Sequence, residues 1–351
     1  MKKEKKEDVK GAKNYVLTCD LGEKIKSLNY LDLKTPDPED DFYKDFKEEL
    51  VKKIKKTMSD CEVRVISMKD LAGEILMEAF RRSRGLRNAI VVSSCTEIAA
   101  PSHGYTLEIN RIVDGEGKIV GIGARPGYPT IGEQINGIAS VVGRKPVVLV
   151  EDGSFSGNTM RSVISRMKKK GVSIAGIVLG FAFPDALKSI KGEYDGEVIT
   201  IEEMDGLVDW MPDHDFFPFA PNCGRTFGMA INGNAFPFYT HDGASYSVPY
   251  IIPFAPMTDW TSIPTFKNNP GNPKGAEDIS LFCLQSAKEL FDEIGKMNGK
   301  VLKIGDLVGS HHARVSIPIA IGQTKFYELM DKPIVEYLKD IYSHGILHLE
   351  K

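Results

Sequence analysis

The stretch VVLVEDGSFSGNTM, Val147–Met160, decides how the chain is read. Val147–Val150 is a continuous apolar run, the pattern of a strand buried on both faces of a parallel sheet. Two acids, Glu151 and Asp152, follow at its carboxyl end. Phe155, Ser156, Gly157, Asn158 and Thr159 then lead into a helix over TMRSVISRMKKK, which Gly171 closes. In open α/β sheets, ligands collect at the carboxyl ends of strands, where helix N-termini point outward. Free N–H groups and the positive helix end at 155–159 suit a dianion such as phosphate. Gly157 lets the backbone approach closely, while Ser156 and Thr159 add hydroxyl groups. Two carboxylates just before an anion cup describe a ligand with both hydroxyls and a phosphate, and a sugar phosphate fits.

Outward from this stretch, strands alternate with helices. CEVRVIS (61–67) and NAIVVSS (88–94) read as strands on either side of a helix, KDLAGEILMEAFRRSR, whose Leu71, Ile75, Leu76, Ala79 and Phe80 share one face. IGEQINGIASVVG reads as a helix, VSIAGIVLG and EVITIEE as further strands. YTLEINRIV and GKIVGIGARP flank the turn 114–117 and form an antiparallel hairpin. The fold class is α/β, a mostly parallel sheet flanked by helices, with an additional α+β C-terminal domain. Residues 1–60 read as a charged appendage with one helix from Phe42 to Met58, and residues 61–214 as the core. Residues 215–351 read as a cap or accessory domain with amphipathic helices over 276–297 and 324–342.

The chain of 351 residues is long enough for two domains, and its net charge of −3 gives no global basic field for nucleic acid. The charged leader Lys2–Lys13 lacks the apolar core of a secretory signal. No window approaches the roughly 18 apolar residues of a membrane span, so a cytoplasmic protein is expected. Five cysteines without a CxxC pair suit reduced thiols. No GxxxxGK[ST] loop occurs, and in GIGARP the following Pro126 and Pro129 forbid the helix that a dinucleotide site needs.

VVLVEDGSFSGNT resembles the thirteen-residue phosphoribosyl-pyrophosphate (PRPP) motif of the type I phosphoribosyltransferases: four apolar residues, an acidic pair and a small-residue phosphate loop. The resemblance implies that Glu151 and Asp152 contact the ribose hydroxyls, with Mg2+ near them, and that Phe155 through Thr159 hold the 5-phosphate. It maps the pyrophosphate loop onto Ser94, Cys95 and Thr96, and makes Arg111 and Arg125 of the hairpin the candidate hood cations, Arg125 first. It implies transfer of a phosphoribosyl group to an acceptor, a glycosyltransferase reaction of nucleotide metabolism. Two departures are visible. Phe155 stands where purine-type members often carry an Asp, and the small-glycine pattern of the pyrophosphate loop is absent. Two alternatives stay open: a sensor of PRPP or nucleotide with no turnover, and a hydrolase of the N-glycosidic bond.

Other residues have a bland reading beside the functional one. Trp210, Phe216, Phe217 and Phe219 suit either a wall on which a base stacks or a seam between core and cap, and the aromatic segments suit a homodimer seam equally well. His214 between Asp213 and Asp215, His241 beside Asp242, and the pair His311 and His312 have no third ligand at fixed spacing, so no metal is assigned to them. Cys223 in PNCGRTFG has no identifiable partner base.

Overall fold

The computed structural model describes residues 13–85, 89–98, 104–114, 119–202, 206–232, 234–239, 245–250, 275–308, 317 and 326–349. The protein is α/β, with mostly parallel sheets flanked by helices. Strands and helices are numbered in chain order. The largest parallel sheet holds β3 (Ile90–Ser93), β4 (Tyr105–Thr106), β7 (Val147–Ser154), β8 (Ile174–Ala182) and β9 (Val198–Thr200) in the order β4-β3-β7-β8-β9. The apolar run behaves as its composition demands. Val147 and Leu149 face α4 (Ile131–Val142) and α5 (Asn158–Lys169), packing with Ile135, Ile138, Val163 and Ile164. Val148 and Val150 face α3 (Met68–Gly85), packing with Leu71, Ile75 and Ala79. Helix α4 starts on a reciprocal cap: Glu133 N–H donates to Thr130 Oγ1 at 3.3 Å, and Thr130 N–H to Glu133 Oε2 at 2.9 Å.

A second parallel sheet has the order β10-β1-β2, from β1 (Lys13–Cys19), β2 (Cys61–Ser67) and β10 (Leu207–Pro212). Helix α3 packs with both parallel sheets, since Val16 and Trp210 join the cluster that α3 forms with β7 and β8. The third sheet is mixed. The expected hairpin is present as β5 (Ile109–Val113) and β6 (Ile119–Ala124), but β5 also pairs in parallel with β11 (Arg225–Ile231). β11 in turn pairs antiparallel with β12 (Asn234–Pro237) and β13 (Ser247–Val248). The remaining α-helices among the described residues are α1 (Leu21–Lys26), α2 (Asp41–Thr57), α6 (Pro184–Lys191), α7 (Gly275–Met297), α8 (Ile304–Val308), α9 (Phe326–Leu329) and α10 (Ile334–Leu349). No helix among the described residues is long and apolar enough to cross a membrane.

The expected division at 60/61 and 214/215 needs correction. β1 is the central strand of a sheet, not part of an appendage, and one hydrophobic core joins both ends of the chain. Phe46 of α2 stands edge-on to Phe217, with ring centroids 5.1 Å apart, and stacks on Phe282 of α7 at 5.2 Å. Phe219 meets Phe291 of α7 at 5.6 Å and Tyr337 of α10 at 6.3 Å. Phe216, Phe217 and Phe219 are fully buried there, so they are seam residues and face no ligand. The helix expected over 324–342 is broken ahead of Pro333, whose ring and missing N–H stop it.

A chain beginning at residue 61 therefore loses the centre of one sheet and the α2 face of the shared core. It should show no cooperative thermal unfolding by circular dichroism, whereas the full chain should. The single change Phe46→Ala should lower stability by about 3–5 kcal/mol in urea titrations.

Candidate functional site

The acidic pair lies within β7, which runs four residues further than the apolar run. Its neighbour β3 ends at Ser93, opposite Val150, so β7 is bordered on that side by the loop 94–98. Ser94 N–H donates to Val150 O at 2.9 Å. The Ser94 hydroxyl reaches the same carbonyl at 3.2 Å and donates to the Glu151 carboxylate. Asp152 Oδ1 accepts from Gly153 N–H at 2.8 Å. Burial raises the pKa of Glu151 well above the usual carboxylate range. The Asp152 charge adds to this, and the Ser94 hydroxyl opposes it. Asp152 is raised as well, by burial first and then by the charge of Glu97. Their oxygens come within 4.8 Å of one another, close enough to titrate as a unit.

The 155–159 segment turns outward from the end of β7. Gly157 has φ +77°, in the left-handed region, and caps the N-terminus of α5. Ser156 Oγ accepts from Asn158 N–H at 3.4 Å. Among the described residues, nothing accepts a hydrogen bond from the backbone N–H of Phe155, Ser156 or Gly157. A Cβ on Gly157 would point toward α6, 3.0 Å from Ala186 O and 3.1 Å from Ser189 Cβ. A side chain there would disturb the α5–α6 contact before it filled the cup.

An aromatic surface borders the cup. The Phe155 ring, half exposed, lies 4.4 Å from Phe183 and 6.1 Å from Trp210. Trp210 is admitted by Gly153, whose Cβ would lie 2.5 Å from indole Cζ2. Of the aromatic residues singled out in the sequence, Trp210 alone stands beside the motif.

The structure adds a charged network that the sequence did not reveal. It collects at the carboxyl ends of strands from both parallel sheets: Asp20 after β1, Glu97 after β3, and Asp213, His214 and Asp215 after β10. Glu97 Oε1 pairs with Lys24 Nζ of α1 and lies 3.6 Å from His214 Nε2. His214 Nδ1 is hydrogen-bonded to Asp20 Oδ1, and Asp213 Oδ1 accepts from Asp20 N–H and Leu21 N–H, both at 3.0 Å. Burial alone would protonate Glu97, but Lys24, His214 and Arg125 hold its pKa well below the usual range. Burial works against the charges of Lys24 and His214, yet Glu97 holds the ammonium up and Asp20 the imidazolium. Each segment contributes one to three residues, with no fixed spacing between segments, which is why the pattern escapes a sequence reading.

The remaining expected residues fall around this network. Cys95 and Thr96 turn onto Glu97: Cys95 Sγ lies 2.8 Å from its Oε2, and Thr96 Oγ1 donates to Oε1 at 2.8 Å. Arg125 is largely buried, donates to Asn222 O, and sits 3.8 Å from Glu108 Oε2. The Arg111 guanidinium lies 5.9 Å from the Tyr250 ring. Arg225, unmarked in the sequence, is fully buried over the same ring at 4.3 Å and donates to Pro249 O at 3.1 Å. His241, Asp242, His311 and His312 lie outside the described residues.

No protein-family model matches the chain, and no curated protein does.

Removing one partner of the Lys24–Glu97 pair should leave a charge stranded where water scarcely reaches. Lys24→Met should cost about 3–5 kcal/mol of stability, and adding Glu97→Gln should recover much of it. Urea unfolding of the two single variants and the double variant checks this, and strictly additive losses would show that the pair is uncoupled.

Proposed function

We propose that the protein binds PRPP and Mg2+ at the carboxyl end of β7 and transfers the phosphoribosyl group to an acceptor, on a core of type I phosphoribosyltransferase kind. One observation carries this reading: two residues after an acidic pair come three consecutive backbone N–H groups with no acceptor among the described residues, at a left-handed glycine that opens a helix. Such a cup is built for a dianion, and the pair for vicinal hydroxyls.

The chain's own groups divide the work. Phe155, Ser156 and Gly157 hold the 5-phosphate by backbone N–H, with the Thr159 hydroxyl beside them. Glu151 and Asp152 accept from the ribose hydroxyls, and an arriving cation offsets the cost of burying their charge. The rings of Phe155, Phe183 and Trp210 keep water from one side of the site. Positioning then supplies most of the acceleration, since the departing group needs charge stabilisation rather than covalent help. Glu151 and Asp152 fit a hard divalent cation, with water completing its shell, whereas the Cys95 thiol near them does not. When bound, Mg2+ supplies neutralisation of the pyrophosphate charge. Phe155 handles no proton, so the acceptor loses its own to another group or to solvent.

The environment of Glu97 favours a neighbouring reading. Its carboxylate draws in the donors of Cys95 and Thr96, where pyrophosphate would need them. On that reading the ligand is a ribose 5-phosphate moiety without pyrophosphate. It is either sensed without turnover or cleaved from its base by water.

Calorimetry with PRPP and Mg2+ should give binding that weakens at least about tenfold, roughly 1.4 kcal/mol, in Glu151→Gln/Asp152→Asn. Pyrophosphate release with a panel of nucleobases marks the transferase, and base release from nucleotides marks the hydrolase. Binding of both PRPP and nucleotide without turnover marks the sensor. A wild-type chain that binds neither PRPP nor ribose 5-phosphate overturns all three.

A further inference from the structure

Across from the acidic pair, three side chains of different donor type converge. His214 Nε2 and Asp215 Oδ1 are 3.8 Å apart, and the ligand atoms of His214, Asp215 and Cys223 all lie within 4.8 Å of one another. Metal–ligand bonds of about 2.0–2.3 Å at tetrahedral angles place ligand atoms about 3.3–3.8 Å apart, so a small closure would bring all three onto one ion.

We propose that His214, Asp215 and Cys223 form a binding site for a borderline divalent transition-metal ion, zinc above all, with a water as fourth ligand. This site is separate from the Mg2+ position at Glu151 and Asp152 and does not depend on the sugar-phosphate reading.

Four further observations support it. The donor set of nitrogen, oxygen and sulfur selects zinc over magnesium or calcium. His214 is already oriented as a ligand, because the hydrogen bond from its Nδ1 to Asp20 leaves Nε2 facing Asp215; a carboxylate behind a ligating histidine is the usual outer shell. Asp215 is poorly satisfied for a largely buried carboxylate: among the described residues it accepts one hydrogen bond, from Gly224 N–H at 2.9 Å. The two nearby cations are engaged elsewhere, Lys24 on Glu97 and Arg125 on Asn222 O and Glu108. Finally, Cys223 is delivered by a tight turn, with Asn222 at φ +55° and Gly224 at φ +76°, both left-handed, on either side of it. The Cys223 thiol donates to Pro221 O at 2.9 Å and the His214 imidazolium carries a proton on Nε2, so ligation would release both protons to solvent. Glu97 Oε1 lies 3.6 Å from His214 Nε2 but is held by Lys24 and Thr96, which leaves the fourth position to water.

The test uses the full chain, stripped with chelator and titrated with Co2+ and then Zn2+. Wild type should take up one Co2+ per chain with a near-ultraviolet thiolate-to-cobalt band, and Zn2+ should displace it. Cys223→Ser should lose the band, and Cys95→Ser should keep it. Asp20→Asn should keep the band but weaken Co2+ binding about 10–100-fold. Should Cys223→Ser fail to fold by circular dichroism, Asp215→Asn serves instead, with loss of Co2+ uptake expected. A wild-type chain that retains no Co2+ overturns the proposal, as does a band that survives in Cys223→Ser or vanishes in Cys95→Ser. Uptake unchanged by Asp215→Asn overturns it too.

Discussion

Glu97 keeps a negative charge in a place nearly closed to water, and it does so because cations from the other parallel sheet come to it. Lys24 follows β1 and His214 follows β10, while Glu97 follows β3. The pairing therefore fixes how the carboxyl ends of two independent sheets face one another. A buried carboxylate with one partner removed is strongly unfavourable, so this arrangement does not drift. Two parts of the proposed chemistry adjoin that junction: the acidic pair, grouped with Cys95, whose thiol touches Glu97, and the cluster of His214, Asp215 and Cys223.

The junction also explains why the ends of the chain are not accessories. β1 supplies Asp20 and Lys24, and the turn after β10 supplies His214. Both are locked from behind by the aromatic seam that joins α2, α7 and α10. Trp210 links this frame to the motif itself, lying against Gly153 and the ring of Phe155. Position 153 has to be glycine for that contact to form.

What the sequence made legible were the elements whose burial is complete or strictly one-sided. Val147–Val150 announced a central strand because both faces are covered, and the helices over 68–85 and 275–297 announced themselves by period. β1 was hidden because Tyr15–Leu17 is a short apolar run behind a lysine- and glutamate-rich leader, which dominated its reading. β10 was hidden because it passes directly into the aromatic segment. The cup was legible as consecutive residues. The charged network was not, because Asp20, Lys24, Glu97, His214 and Cys223 come from four separate segments, brought together by the pairing of β1 with β10 and by the contacts of Glu97 across the two parallel sheets. His214 and Cys223 each drew notice as isolated residues, and nothing in their spacing ties one to the other.

The central claim is that the N–H groups at the end of β7 and the two acids before them hold one small molecule. Amide-resolved NMR during titration with ribose 5-phosphate addresses it most directly. The account predicts that the amide resonances of Phe155, Ser156 and Gly157 shift most and saturate together with those of Glu151 and Asp152. Shifts centred on Arg111 and Arg225, with the 155–157 amides unmoved, would contradict it.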